Sequence, residues 1–149
     1  MNYKSIFYIL GWILRVEGFF LFLPMIVALI YGEDTWTVYL ICAALTFAAG
    51  LALSWKRSGN FRLFAREGYV AVALGWVLMS LIGALPLWAA GDIPHFVDAL
   101  FEIISGFTTT GSSILVDVEA ISRGGMFWRC FSHWIGGMGV LVFLLQIIP

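Results

Sequence analysis

Between Phe101 and Ser113 the chain reads FEIISGFTTTGSS. Three threonines closed by a glycine, Thr108-Thr109-Thr110-Gly111, lie between two long apolar segments, with Ser112 just beyond. Backbone carbonyls can replace the water around a cation when several of them converge on one axis. A short stretch stiffened by β-branched side chains, and released by one glycine that tolerates positive φ, suits that task. The same residue types also make an ordinary polar turn between two membrane helices. Two carboxylates precede the stretch, Asp98 and Glu102, spaced to lie one helical turn apart. They could attract cations into a vestibule, or they could pair with an arginine such as Arg129. Pairing is favoured for Glu102, because an unpaired carboxylate buried at membrane depth is expensive.

The solvent follows from composition. Hydrophobic residues make up 62% of the 149, charged residues 11%, and the mean hydropathy is +0.98. A water-facing domain carries about a quarter charged residues, so this chain is built for a bilayer. Its net charge of −1 leaves no basic surplus to neutralise phosphates, which excludes nucleic acid as a partner. Cys42 and Cys130 stand far apart in apolar sequence and read as small hydrophobes, with neither a metal spacing nor a disulfide framework.

The elements that must position the threonine stretch are helices. Ser5 to Tyr31 is long enough to span; it carries Arg15 and Glu17, which do not share a helix face, and Pro24, which is placed to kink it. Its length and internal charges distinguish it from a cleaved signal peptide. After the acidic loop Glu33-Asp34, with Thr35 as an expected N-cap, an uncharged second span runs from Thr35 to Trp55. The stretch from Lys56 to Glu67 holds Lys56, Arg57, Arg62 and Arg66, half of the eight basic residues, and is expected to be cytoplasmic. That places the N-terminus in the cytoplasm and the Glu33-Asp34 loop outside. A third span follows over 68–90, then an apolar segment, 95–107, too short to cross and therefore read as a re-entrant half-helix. The threonine stretch, a linker bearing Asp117, Glu119 and Arg123, and a last span over 126–149 complete the chain. The expected fold is an all-α membrane protein: two N-terminal transmembrane helices (1–67) followed by a repeat of helix, re-entrant pore helix and filter loop, and helix (68–149).

On these residues the chain resembles a known family. AREGYVAVALGWVLMSLIGALPLW, FVDALFEIISGFTTTGSSIL and FWRCFSHWIGGMGVLVFLLQIIP together look like the first pore repeat of the Trk/Ktr/HKT superfamily of potassium transporters, nearest to the TrkH type. The resemblance covers Arg66 to Pro149, and the preceding helices resemble that branch's extra N-terminal pair. It implies potassium uptake across a bacterial inner membrane, with Thr108, Thr109, Thr110, Gly111 and Ser112 as the selectivity filter on the outer side. Potassium, the transported ion, would sit at Thr109, Thr110 and Gly111, and no organic cofactor is implied. A glycine at the position of Gly111 goes in this family with potassium, a serine with sodium.

The family builds its pore from four such repeats, as a homodimer with a cytoplasmic nucleotide-binding regulatory subunit, embedded in lipid. This sequence holds one repeat and ends without a basic tail, so truncation is expected and the chain by itself is expected not to conduct. Two other readings were weighed. Ser105 and His133 could form an intramembrane serine-protease pair, but that leaves the threonine run without a role, so the chain is read as no enzyme. A non-conducting scaffold segment of a membrane complex is the remaining alternative.

Overall fold

The computed structural model describes residues 3–55 and 65–147, with side chains of 67–139 in the second stretch, so 56–64 of the basic loop assigned to the cytoplasm lie outside the described residues, while its end, 65–67, already belongs to the helix expected to start at 68. Six α-helices follow in order: α1 (Tyr3–Phe20), α2 (Phe22–Ile30), α3 (Trp36–Ser54), α4 (Ala65–Ala89), α5 (Phe96–Phe107) and α6 (Arg123–Ile147), with one 3-10 turn at Val118–Ala120. Among the described residues there is no strand, and three helical stretches are long and apolar enough to cross a membrane: Tyr3–Ile30, Trp36–Ser54 and Glu67–Ala89.

The first span is broken at Leu21. Pro24 has no N–H to offer and its ring crowds the carbonyl four residues back, that of Phe20, so the helix turns aside one residue later. Leu21 N still donates to Glu17 O at 3.0 Å, which keeps the two halves as one kinked rod. α3 packs antiparallel on α1 at backbone distance. A Cβ on Gly11 would lie 2.8 Å from Gly50 O, one on Gly50 would lie 2.8 Å from Gly11 O, and one on Gly18 would lie 2.9 Å from Phe47 N. Small residues are what permit such an approach in lipid, where packing rather than water drives association.

Arg15 and Glu17 do not pair. The Arg15 guanidinium lies 5.1 Å from the centroid of the Trp12 ring, whereas Glu17 is fully buried. Thr35 does not cap α3 with its side chain, contrary to expectation. It already has helical φ and ψ, and its hydroxyl donates to Glu33 Oε2 at 3.4 Å.

α4 packs against α5 and α6. A Cβ on Gly83 would touch Ile103 and Phe107 of α5 at 3.2 and 3.3 Å, and Trp128 of α6 donates its indole N–H to Gly83 O at 2.8 Å. Leu87, Ile93, Ile103, Phe107 and Trp128 form one buried cluster, so α4, α5 and α6 share a core. The twelve residues of α5 cover about 18 Å, roughly half of the hydrocarbon thickness.

The last helix starts at Arg123, three residues before the expected start at Met126. Ser122 caps it: Gly125 N donates to Ser122 Oγ at 3.0 Å and Met126 N to Ser122 O at 2.8 Å. Two carboxylates complete the cap. Asp92 accepts from Ser122 N and Oγ at 2.8 and 2.7 Å, and Glu33 accepts from Arg123 N and Gly124 N at 2.7 and 3.2 Å. Negative charge at a helix N-terminus is favourable, and these two acids tie the α2–α3 and α4–α5 loops to α6.

Candidate functional site

α5 ends in mid-core, and the chain leaves it at Thr108. The N–H groups of the next residues turn back onto the helix's last carbonyls. Thr108 N donates to Ile104 O, Thr109 N to Gly106 O and Thr110 N to Ser105 O, each at 2.9 Å, and Gly111 N reaches Ser105 O at 3.4 Å. Orphan carbonyls at a helix end are thereby satisfied by the loop that follows. The Thr108 hydroxyl donates to Ile104 O at 2.7 Å and lies 2.8 Å from the Thr110 hydroxyl.

Backbone conformation carries the chemistry. Thr109 has φ +56° and Gly111 φ +77°, so two left-handed residues alternate with their neighbours over four positions. In an ordinary extended strand successive carbonyls point to opposite sides, and a left-handed residue turns the peptide over. The glycine takes such an angle freely, whereas a β-branched threonine takes it at a cost that its surroundings must supply. Among the described residues, none of the carbonyls of Thr108, Thr109, Thr110 and Gly111 receives a hydrogen bond, and all four residues are exposed. These carbonyls are free acceptors just past the C-terminal end of α5, where the helix dipole adds about half a negative charge. Such an arrangement can hold a dehydrated monovalent cation through backbone oxygen.

Ser112, expected as the fifth member, is placed differently. Its carbonyl accepts the Ser105 hydroxyl at 2.6 Å and is therefore already engaged. Downstream, Glu102 holds the chain: its Oε2 accepts from Ser113 Oγ at 3.1 Å and from Ile114 N at 3.0 Å. Its Oε1 pairs with Arg129 Nε of α6, Glu102 being 1% exposed and Arg129 13%. The structure thus brings Glu102 and Arg129 together and leaves Asp98 apart, half-buried in the first turn of α5 and without an ion pair among the described residues.

Two glycines let α6 pass the base of this loop. A Cβ on Gly106 would run into Ser132 Oγ, and one on Gly136 into the Phe107 carbonyl, the last residue before the threonines. Ser105 and His133 do not meet: the serine hydroxyl goes to Ser112 O, and His133 Nδ1 lies 2.9 Å from Arg129 O. The double role of Ser105 had no signal in the sequence, because its partner lies seven positions on, across a turn that only tertiary structure defines.

Residues 35–149 match the family model of TrkH, described as cation transport protein. An uncharacterized cation transporter of Methanocaldococcus jannaschii is 37% identical over 93% of this chain and 29% of its own length. The Trk system potassium uptake protein TrkG of Escherichia coli is 38% identical over 85% of the chain and 26% of its own length. Among solved structures, the potassium transporter TrkH from Vibrio parahaemolyticus superposes with a TM-score of 0.92 at 30% identity, covering all of this chain and 32% of that one. The chain spans less than a third of the length of the curated relatives named here.

Proposed function

This chain belongs to the TrkH family of cation transport proteins, and from that membership we propose that it serves potassium uptake across the cell membrane as the first pore unit of a larger transporter. The family is one of transporters rather than enzymes. The observation that carries the reading is the set of four unengaged carbonyls from Thr108 to Gly111, arranged around two left-handed residues at the end of a half-length helix. Potassium is bound there by the carbonyls of Thr109, Thr110 and Gly111, with Thr108 at the base of the filter. Ser112 follows as the last residue of the filter, its carbonyl held by the Ser105 hydroxyl.

Three further repeats close the ring around the axis, and the assembled transporter works as a homodimer with a cytoplasmic nucleotide-binding subunit. The membrane is the inner membrane of a bacterial-type cell. The N-terminus and the Lys56–Arg66 segment face the cytoplasm, and the filter opens to the outside. Glu102 and Arg129 keep the loop in place rather than touching the ion, whereas Asp98 is available to the vestibule.

The test is Gly111→Ser in the complete transporter, expressed in a bacterium deficient in potassium uptake. A side chain at φ +77° is strained by about 1–2 kcal/mol, so the loop must shift to relieve it, and preference for potassium over sodium should fall, with loss of growth at low potassium. Unchanged ion preference in this variant would falsify the filter assignment.

A further inference from the structure

Ser105 sits in the last turn of α5, 5% exposed, and touches the threonine loop on both sides of Gly111. Its carbonyl takes Thr110 N at 2.9 Å and Gly111 N at 3.4 Å, while its hydroxyl donates to Ser112 O at 2.6 Å. Three consecutive residues centred on Gly111 are therefore tied to one side chain and its own backbone. The usual habit of a helical hydroxyl in lipid is to bond back into its own helix. Thr46, Ser54, Ser80 and Thr108 all do so, each donating to the carbonyl four residues behind. Ser105 gives up that bond and reaches seven residues forward instead.

This has two consequences for ion recognition. The first is that the Gly111 peptide, flanked by Thr110 N and Ser112 O that both end on Ser105, has its rotation limited on each side. A glycine at φ +77° needs such a limit, since it would otherwise turn freely, and a carbonyl that turns freely cannot hold a fixed distance to an ion. The second is that the hydroxyl holds Ser112 O through one of its two lone pairs, so the carbonyl that follows Gly111 is fixed in direction as well.

We propose that Ser105 is a specificity-determining positioning residue: its hydroxyl fixes the Ser112 carbonyl and with it the orientation of the Gly111 carbonyl, and through both it sets discrimination between potassium and sodium. The proposal rests on the filter reading above and assigns to the pore helix a part of the selectivity that would otherwise fall to Gly111 alone. The fold does not depend on this hydroxyl, because Ser105 stays packed when it is reduced to alanine and Glu102 still anchors Ser113 and Ile114.

The experiment compares Ser105→Ala, Ser105→Thr and Gly111→Ser in the complete transporter, measuring the ratio of potassium to sodium uptake normalised to the amount of protein in the membrane. Ser105→Ala is expected to lower the ratio about two- to tenfold, the factor that one neutral hydrogen bond is worth, and Ser105→Thr, which keeps the hydroxyl, to restore it. A wild-type ratio in Ser105→Ala beside a lowered one in Gly111→Ser overturns the role of Ser105 and leaves the filter reading standing. Wild-type ratios in both overturn the two together. Should Ser105→Ala fail to accumulate, Ser105→Cys, of similar volume but a weaker donor, is expected to shift the ratio in the same direction, and a wild-type ratio there counts against the proposal equally.

Discussion

Glu102 spends its two carboxylate oxygens on three different groups: Ser113 Oγ, Ile114 N and the guanidinium of Arg129. Removing one partner of a buried pair leaves the other charge uncompensated, a loss of about 3–5 kcal/mol, whereas replacing both by apolar groups costs far less. We therefore expect Glu102→Ala and Arg129→Met each to lower the unfolding midpoint of purified protein in detergent, and the double variant to lose clearly less than the sum. Additive losses would mean that the two side chains do not act as a pair. This pairing could be anticipated from residue types, since few charges are available at that depth and each needs a partner. The left-handed Thr109 could not be, because β-branched residues disfavour that region and only the bonds from Thr108, Thr109 and Thr110 back to the helix end impose it. Nor does the sequence reveal that a hydroxyl seven residues earlier donates to the Ser112 carbonyl.

The helices themselves were legible from apolar run length, and their ends were less so. α6 begins at Arg123 because Ser122, Asp92 and Glu33 together stabilise a start that passes through Gly124 and Gly125, two residues that read as linker. Two of those three caps come from distant loops, and local sequence holds no trace of them. Gly136 and Gly137, adjacent in α6, differ in what they meet. A Cβ at Gly136 would collide with the Phe107 carbonyl, while one at Gly137 meets nothing within 4 Å. Gly136→Ala must push α6 off the end of α5, an overpacking cost of about 1–3 kcal/mol, and it should disturb transport as well because Phe107 leads directly into Thr108. Gly137→Ala is the control and should be neutral or slightly stabilising, as alanine is the better helix former. Equal thermal midpoints for the two variants would show that α6 does not press on the base of the loop as described.

At the scale of the molecule, the antiparallel order of α1 and α3 and the bonds from Glu33 and Asp92 to the start of α6 put the Glu33–Asp34, Asp92 and 113–122 loops on one face. If that face is external, cysteines at Asp34 and Val116 in an otherwise cysteine-free transporter should react with an impermeant thiol reagent added to intact cells, and one at Ser58 should react only after lysis. Labelling of Ser58 from outside would reverse the orientation. The same geometry limits what the 149-residue chain can do by itself. Thr108 to Gly111 are exposed in it, and in the proposed filter their four carbonyls would form one wall of a site that needs oxygens on all sides to replace a hydration shell. Facing lipid, each such carbonyl costs several kcal/mol, so the lone chain must cover the loop by association or let it unfold locally. Purified chain in liposomes is therefore expected to carry no potassium-selective flux, with fast hydrogen exchange across Phe107 to Ser113 and slow exchange in α1, α3 and α4. Selective potassium flux from a purified assembly of four copies would overturn this, and would mean that identical walls can close a ring that we assign to four different repeats.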